Sequence, residues 1–236
     1  MKHKKEHKII DENPFNIDFK DESKDIDFLE TQMDDFVTHN FESGETDQFI
    51  KLTNNKITTF EIGYANAVKL AKDIDIKKGE TVYANLEGKF VFGDFIGAFI
   101  QENHLRVEEL TIVSLSGGID NFAMLSALIE KGWVKKINLI LSTYFIKVEM
   151  FRNNAMNIAC IEFLKNIPKK HGDAFNIYYT NVHAKLVLIK TEKGGHVTMH
   201  GSSNLRSSQN LEQLIIQENK ALYDFNYQFY KSLIPK

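Results

Sequence analysis

Two polar clusters stand close together late in the chain. They are His183-Ala184-Lys185 and Gly201-Ser202-Ser203-Asn204, with Glu212 a little further on. A neutral imidazole is a nucleophile or an acid-base group, and a Lys ammonium and an Asn amide are donors suited to phosphoryl oxygens. Serine hydroxyls can assist, and a carboxylate such as Glu212 can hold an imidazole in one tautomer. No metal and no cofactor is required by this set. Cys160 is the single cysteine of the chain, so neither an internal disulfide nor a cysteine-built zinc site is available.

Such groups act together only if the backbone brings them together. His183 to Thr191 and His196 to Gly201 read as strands around Glu192-Lys193-Gly194-Gly195, whose paired glycines mark a hairpin. On a strand, residues two apart share a face, which puts His183 with Lys185 and Ser202 with Asn204. Upstream, helices and strands alternate from about Phe60, the signature of an α/β domain. The periodicity predicts helices at Phe60 to Asp73, Phe92 to Glu102, Ile119 to Lys131 and Val148 to Ile167. It predicts strands at Thr81 to Leu86, Leu110 to Leu115, Ile137 to Ser142 and Phe175 to Tyr179. Short apolar strands such as Ile137-Asn138-Leu139-Ile140-Leu141 require a sheet covered on both faces.

Several other features have a bland explanation. Gly117-Gly118 fits neither the dinucleotide fingerprint nor the P-loop and reads as a strand-to-helix turn. His104 reads as a structural histidine at a helix C-terminus. Arg152, Asn153 and Asn154 could face a phosphate but suit a solvated position. Ser142 to Tyr144 lie at a strand's C-terminal end, where open α/β sheets place ligands, and could line the site. An aromatic C-terminal helix, Ala221 to Leu233, suits a cap on the core or on a dimer better than a membrane.

Composition narrows the class. The 236 residues are 43% hydrophobic with 18 Phe and 3 Pro, enough for a real core. No apolar run approaches the roughly 18 residues that span a bilayer. No secretion signal is visible at the start, and the lone cysteine suits a reducing cytoplasm. The net charge of -3 is unevenly spread: residues 11 to 47 carry thirteen Asp or Glu against two Lys, whereas the chain from residue 48 onward is mildly basic. Residues 1 to 48 therefore read as an acidic arm with one helical candidate, Ile26 to Phe36, ahead of a domain at 49 to 236. The arm is a solvated tail, or it imitates a phosphate backbone and lies in a basic groove when substrate is absent.

The runs HAKLVLIK and HGSSNLRSSQNLEQLII resemble the phospholipase D superfamily signature, H-x-K-x4-D-x6-G-S-x-N. His183, Lys185, Gly201, Ser202 and Asn204 match position by position, and Glu212 falls where the family has an acidic partner. Two positions depart from the pattern. Lys190 stands at the family's Asp, a structural support more than a reacting group, and the His-to-Gly interval is four residues longer, absorbed by the Glu192 to Gly195 loop. The resemblance implies a phospholipase D-like mixed sheet flanked by helices on both faces.

The motif occurs once in the chain, whereas the superfamily's active site uses two. The resemblance thus implies a homodimer with one composite site on its twofold axis, as in small single-motif nucleases. It implies that His183 of one subunit attacks phosphorus to give a phosphohistidine, that His183 of the other protonates the leaving oxygen, and that no metal takes part. Lys185 and Asn204 would stabilise the equatorial oxygens, Ser202 assist, and Glu212 orient a His183 ring. The expected substrate is nucleic acid, DNA over RNA, with Ser203, Arg206, Lys190 and Lys193 as phosphate contacts. The competing expectation is a non-catalytic nucleic-acid-binding or structural assembly protein that keeps the same fold.

Overall fold

The structure, a computed structural model, describes residues 56–60, 67–74, 76, 78–86, 90–151, 155–206 and 212–233. The acidic arm, its helical candidate and Arg152, Asn153 and Asn154 lie outside the described residues. Within them, eight strands form one mixed sheet: β1 Lys56–Phe60, β2 Glu80–Leu86, β3 Val107–Ser114, β4 Ile137–Ser142, β5 Phe175–Thr180, β6 Leu186–Thr191, β7 His196–Gly201 and β8 Glu212–Glu218. Their order across the sheet is β1-β2-β8-β7-β6-β3-β4-β5. The flanking pairs β1/β2, β3/β4 and β4/β5 are parallel, while the neighbouring pairs β2/β8, β8/β7, β7/β6 and β6/β3 are antiparallel.

The helices are α1 Ala67–Asp73, α2 Phe92–Glu102, α3 Ile119–Glu130, α4 Thr143–Phe151, α5 Ala155–His171 and α6 Lys220–Ser232. Helices α1, α2, α3 and α5 pack on one another in succession. On the opposite face, Tyr223 and Tyr230 of α6 pack against Val113, Ile140, Leu186 and Leu188. The alternate residues of the same strands, Ile112, Leu139, Val187 and Ile189, are also fully buried. A strand buried on both sides must be apolar on both sides. This is why β4 reads INLILS with all six residues buried. Burying each of the core aromatics Phe95, Phe99 and Phe122 contributes about 1.5–3 kcal/mol.

The β6–β7 connection is the expected hairpin. Thr191 N–H donates to the Gly195 carbonyl at 2.9 Å, and Gly194 takes φ +84°, a left-handed conformation that only glycine adopts without strain. Gly117-Gly118 is the expected turn between β3 and α3.

Four element expectations need correction. Phe60 ends strand β1 rather than starting a helix, because Lys56–Phe60 pairs in parallel with β2. The expected helix Val148 to Ile167 is two helices, α4 and α5. Pro168, the residue after the predicted helix end at Ile167, does not end α5, which runs on to His171. Its last turn carries tertiary contacts, Lys170 to Glu130 at 2.5 Å and a 2.6 Å bond between His171 and Ser126. Finally, Glu212–Glu218 is a strand that the sequence reading left unassigned. It places Leu214 and Ile216 in the core.

Candidate active site

All the sheet's chemistry gathers at one edge. There the parallel strands β3, β4 and β5 end at Ser114, Ser142 and Thr180, β6 begins at Leu186, β7 ends at Gly201 and β8 begins at Glu212. His183 and Lys185 precede β6 rather than lying within it. They still share a side, because Val182 and Ala184 turn the other way and pack into the α6 core.

Lys185 Nζ lies 3.1 Å from His183 Nδ1 and donates to the His183 carbonyl at 2.9 Å. An ammonium has no acceptor, so Nδ1 accepts and a neutral ring carries its proton on Nε2. The imidazole is exposed and Lys185 half-buried. Partial burial lowers the Lys185 pKa from its ordinary value, and the charge of nearby Glu212 partly offsets this.

On the neighbouring strands, Ser202 Oγ donates to Glu212 Oε2 in a short bond and accepts from Gln213 N–H at 2.9 Å. Ser202 N–H in turn donates to the Gln213 carbonyl at 3.1 Å. Gly201 makes this approach possible. A Cβ built there would meet the Gln213 carbonyl oxygen at 1.9 Å, closer than any side chain tolerates. The glycine of the G-S-x-N run is therefore dictated by the strand carrying the acidic residue.

Ser203 and Asn204 turn inward. Ser203 is 6% exposed, and its hydroxyl finds no hydrogen-bond partner among the described residues. The same holds for Asn204 Oδ1 and for Ser116 Oγ on the neighbouring β3–α3 turn. Each such atom costs roughly 1–3 kcal/mol, and Thr111, Thr198, Glu218 and Tyr223 carry others away from this end of the sheet. The loop beyond is pinned at Leu205, whose N–H donates to Ser114 Oγ at 3.3 Å and whose carbonyl accepts from Gly93 N–H at 2.8 Å. Ser114, Ser116 and Gly93 were missed in the sequence because they are remote from the motif and small.

The structure does not gather every expected residue. Lys190 and Lys193 lie at the far end of β6 from His183. Lys190 pairs with Glu108 at 3.1 Å, and Lys193 lines a separate pocket with His104 and Glu218. Arg206 is exposed beside the pinned loop. Glu212 engages Ser202 within the chain, while the His183 ring is engaged by Lys185. A cleft beside His183 is lined by Ser142 and Tyr144, as expected for that strand end, together with Leu115, Asn181 and Val182.

No family model and no curated protein matches the chain by sequence. Among solved structures, a mutant of yeast tyrosyl-DNA phosphodiesterase is similar over 58% of this chain and 31% of its own, at 14% identity and a TM-score of 0.34. A phosphatidylserine synthase from Haemophilus influenzae Rd KW20 is similar over 65% of this chain and 38% of its own, at 13% identity and a TM-score of 0.36. The chain thus spans well under half the length of either structure. Among the described residues, no helix is long and apolar enough to cross a membrane.

Proposed function

We propose that this chain is a phosphodiesterase that cleaves nucleic acid, DNA over RNA, at a composite site formed by two copies related by a twofold axis. The observation that carries it is the convergence of His183, Lys185 and the Ser202–Glu212 pair at one end of the central strands. Those residue types at those positions are the ones for which the motif resembles the phospholipase D superfamily.

A single copy supplies one imidazole, while displacement through a covalent intermediate uses two. In the first step Nε2 of one His183 forms a bond to phosphorus. The bond to the leaving oxygen breaks, and that oxygen takes the Nε2 proton of the second His183. Water then attacks the phosphohistidine and gives its proton to the second ring, and the P–N bond breaks to free the first. The proton donor starts as an imidazolium, protonated on both nitrogens, so it returns to a neutral ring when its Nε2 proton leaves, and its Lys185 turns away from Nδ1. The attacking ring needs its proton on Nδ1, so its Lys185 turns to the phosphoryl oxygens, where Asn204 also donates. Arg206 contacts a flanking phosphate.

Non-catalytic nucleic-acid binding or structural assembly is the competing function, favoured by Lys190 in place of the family's Asp. Lys190 sits in an ion pair with Glu108 away from His183, so its presence leaves the reacting groups untouched. The deciding measurement is hydrolysis of bis-p-nitrophenyl phosphate and of DNA in EDTA, comparing wild type with His183→Ala. Turnover that vanishes in the variant is the expected result. Equal turnover, or binding with no turnover in either protein, overturns the catalytic assignment.

A further inference from the structure

The cleft beside His183 is a shallow, open depression of about 510 Å³. Its walls differ in character. Leu115 and Val182 are apolar, Ser142 and Asn181 are polar, and His183 and Tyr144 contribute rings. Tyr144 is 63% exposed, the most exposed large apolar side chain among the described residues. No ring among those residues stacks on it, whereas Tyr223 and Tyr227 stack on each other at 5.5 Å.

The backbone under Tyr144 is nevertheless held on both sides. Tyr144 N–H donates to Ser142 Oγ at 3.2 Å, and Ser142 is itself 3% exposed. Thr143 Oγ1 donates to Asn181 Oδ1 at 2.5 Å, tying the start of α4 to the residue after β5. That bond uses the Asn181 oxygen, so what its amide has left to offer a ligand is N–H donors. An exposed aromatic ring on a fixed backbone, with an amide donor and the apolar Leu115 and Val182 in the same lining, is the composition of a base-stacking subsite.

We infer that this cleft holds the nucleobase adjoining the scissile phosphate, with its ring on Tyr144 and its edge toward Asn181. This rests on His183 being the group that meets the phosphate. A base paired within a duplex has to be unstacked and flipped out before it can enter, so a single strand or an unpaired end is the favoured substrate.

The test compares a fluorescein-labelled oligothymidylate with an abasic oligomer of the same length and with a duplex. Each is read by anisotropy immediately after mixing with wild type, Tyr144→Ala and Tyr144→Phe. Tyr144→Ala should weaken oligothymidylate binding roughly tenfold, the order of one lost base–aromatic stack. Abasic binding should stay within about twofold by the same reasoning, since only the stack is removed. Tyr144→Phe should restore affinity, and the wild-type preference for single strand over duplex should narrow in Tyr144→Ala. Equal losses on both oligomers, or no loss on either, overturn the subsite.

Because binding is read apart from turnover, the two proposals fail separately. The Tyr144 pattern without hydrolysis in wild type removes the catalytic assignment and keeps the subsite. Hydrolysis that depends on His183 without the Tyr144 pattern removes the subsite alone.

Discussion

Lys185 Nζ donates to Nδ1 of His183 across 3.1 Å, so this cation holds a neutral His183 ring with its proton on Nε2. If the same ammonium also stabilises the phosphoryl oxygens, its loss should cost about 10²- to 10³-fold in kcat, the scale for deleting one preorganised donor. Lys185→Met should leave KM for bis-p-nitrophenyl phosphate nearly unchanged, since the interaction strengthens only as charge develops. Nitrogen-detected NMR of the ring should show His183 losing its uniform Nε2–H form in the variant. A tautomer unchanged by Lys185→Met would remove the 3.1 Å contact as its cause.

Gly201 and Gly194 make a contrasting pair. At Gly201 an added Cβ meets the Gln213 carbonyl at 1.9 Å, and the obstacle is backbone of the adjoining strand. At Gly194 nothing lies within 4 Å, and only φ +84° opposes substitution. Gly194→Ala should therefore cost about 1–2 kcal/mol of unfolding free energy, the penalty of a left-handed alanine. Gly201→Ala should cost roughly 3 kcal/mol or more, as overpacking does when its neighbours cannot yield, and it should separate Ser202 from Glu212. Urea unfolding of both variants decides, and equal costs would mean that the β7–β8 approach is looser than 1.9 Å implies.

The half of the site built on local spacing was legible before any coordinates. His183 and Lys185 are two residues apart and Gly201 to Asn204 are contiguous, so an extended backbone alone puts them in reach. What sequence proximity misjudged was direction along a strand. Lys190 follows Lys185 by five residues, which at about 3.3 Å each carries it about 16 Å away. The strand Glu212–Glu218 escaped notice because LEQLIIQE lacks strict alternation, and only pairing with β2 and β7 makes it extended. Pro168 misled in the other direction, since the helix continues past it to His171, whose ring bonds to Ser126. Tyr144 was placed near the site by its strand-end position, but its exposure depends on Asn181 and Ser142, contacts that no periodicity encodes.

Asp94 and Asp120 occupy the first turns of α2 and α3. Partial burial of the Asp94 carboxyl, and then the charge of Asp120, raise its pKa above the usual 3.8. The folded state therefore binds this proton more readily than the unfolded chain. The destabilisation is absent below 3.8, grows as pH climbs through the raised value, and is complete at neutral pH. Asp94→Asn should raise Tm at pH 7 and lose that advantage near pH 3. The gain should be small, since Asp94 is at the surface. Thermal melts across this range check it, and a gain that persists at pH 3 would point to a cause other than the carboxylate's charge.

Lys190 offers the sharpest contrast between family pattern and local physics. Its ammonium pairs with Glu108 at 3.1 Å, and its strand partners are Glu109 on β3 and His196 on β7. Restoring the family's residue with Lys190→Asp would set three carboxylates together on β3 and β6. Like charges on neighbouring strands cost up to about 1 kcal/mol, and the exposed ion pair that is lost contributes about as little. The variant should lose stability by that order, lose less of it in high salt as screening weakens the repulsion, and keep its turnover. Lys190→Met separates the terms, since it removes the ion pair without adding repulsion and should sit between wild type and Lys190→Asp. A large gain in turnover in Lys190→Asp would instead show that the carboxylate acts on the site across the length of β6, and the ion pair with Glu108 would then be the feature that keeps this chain slow.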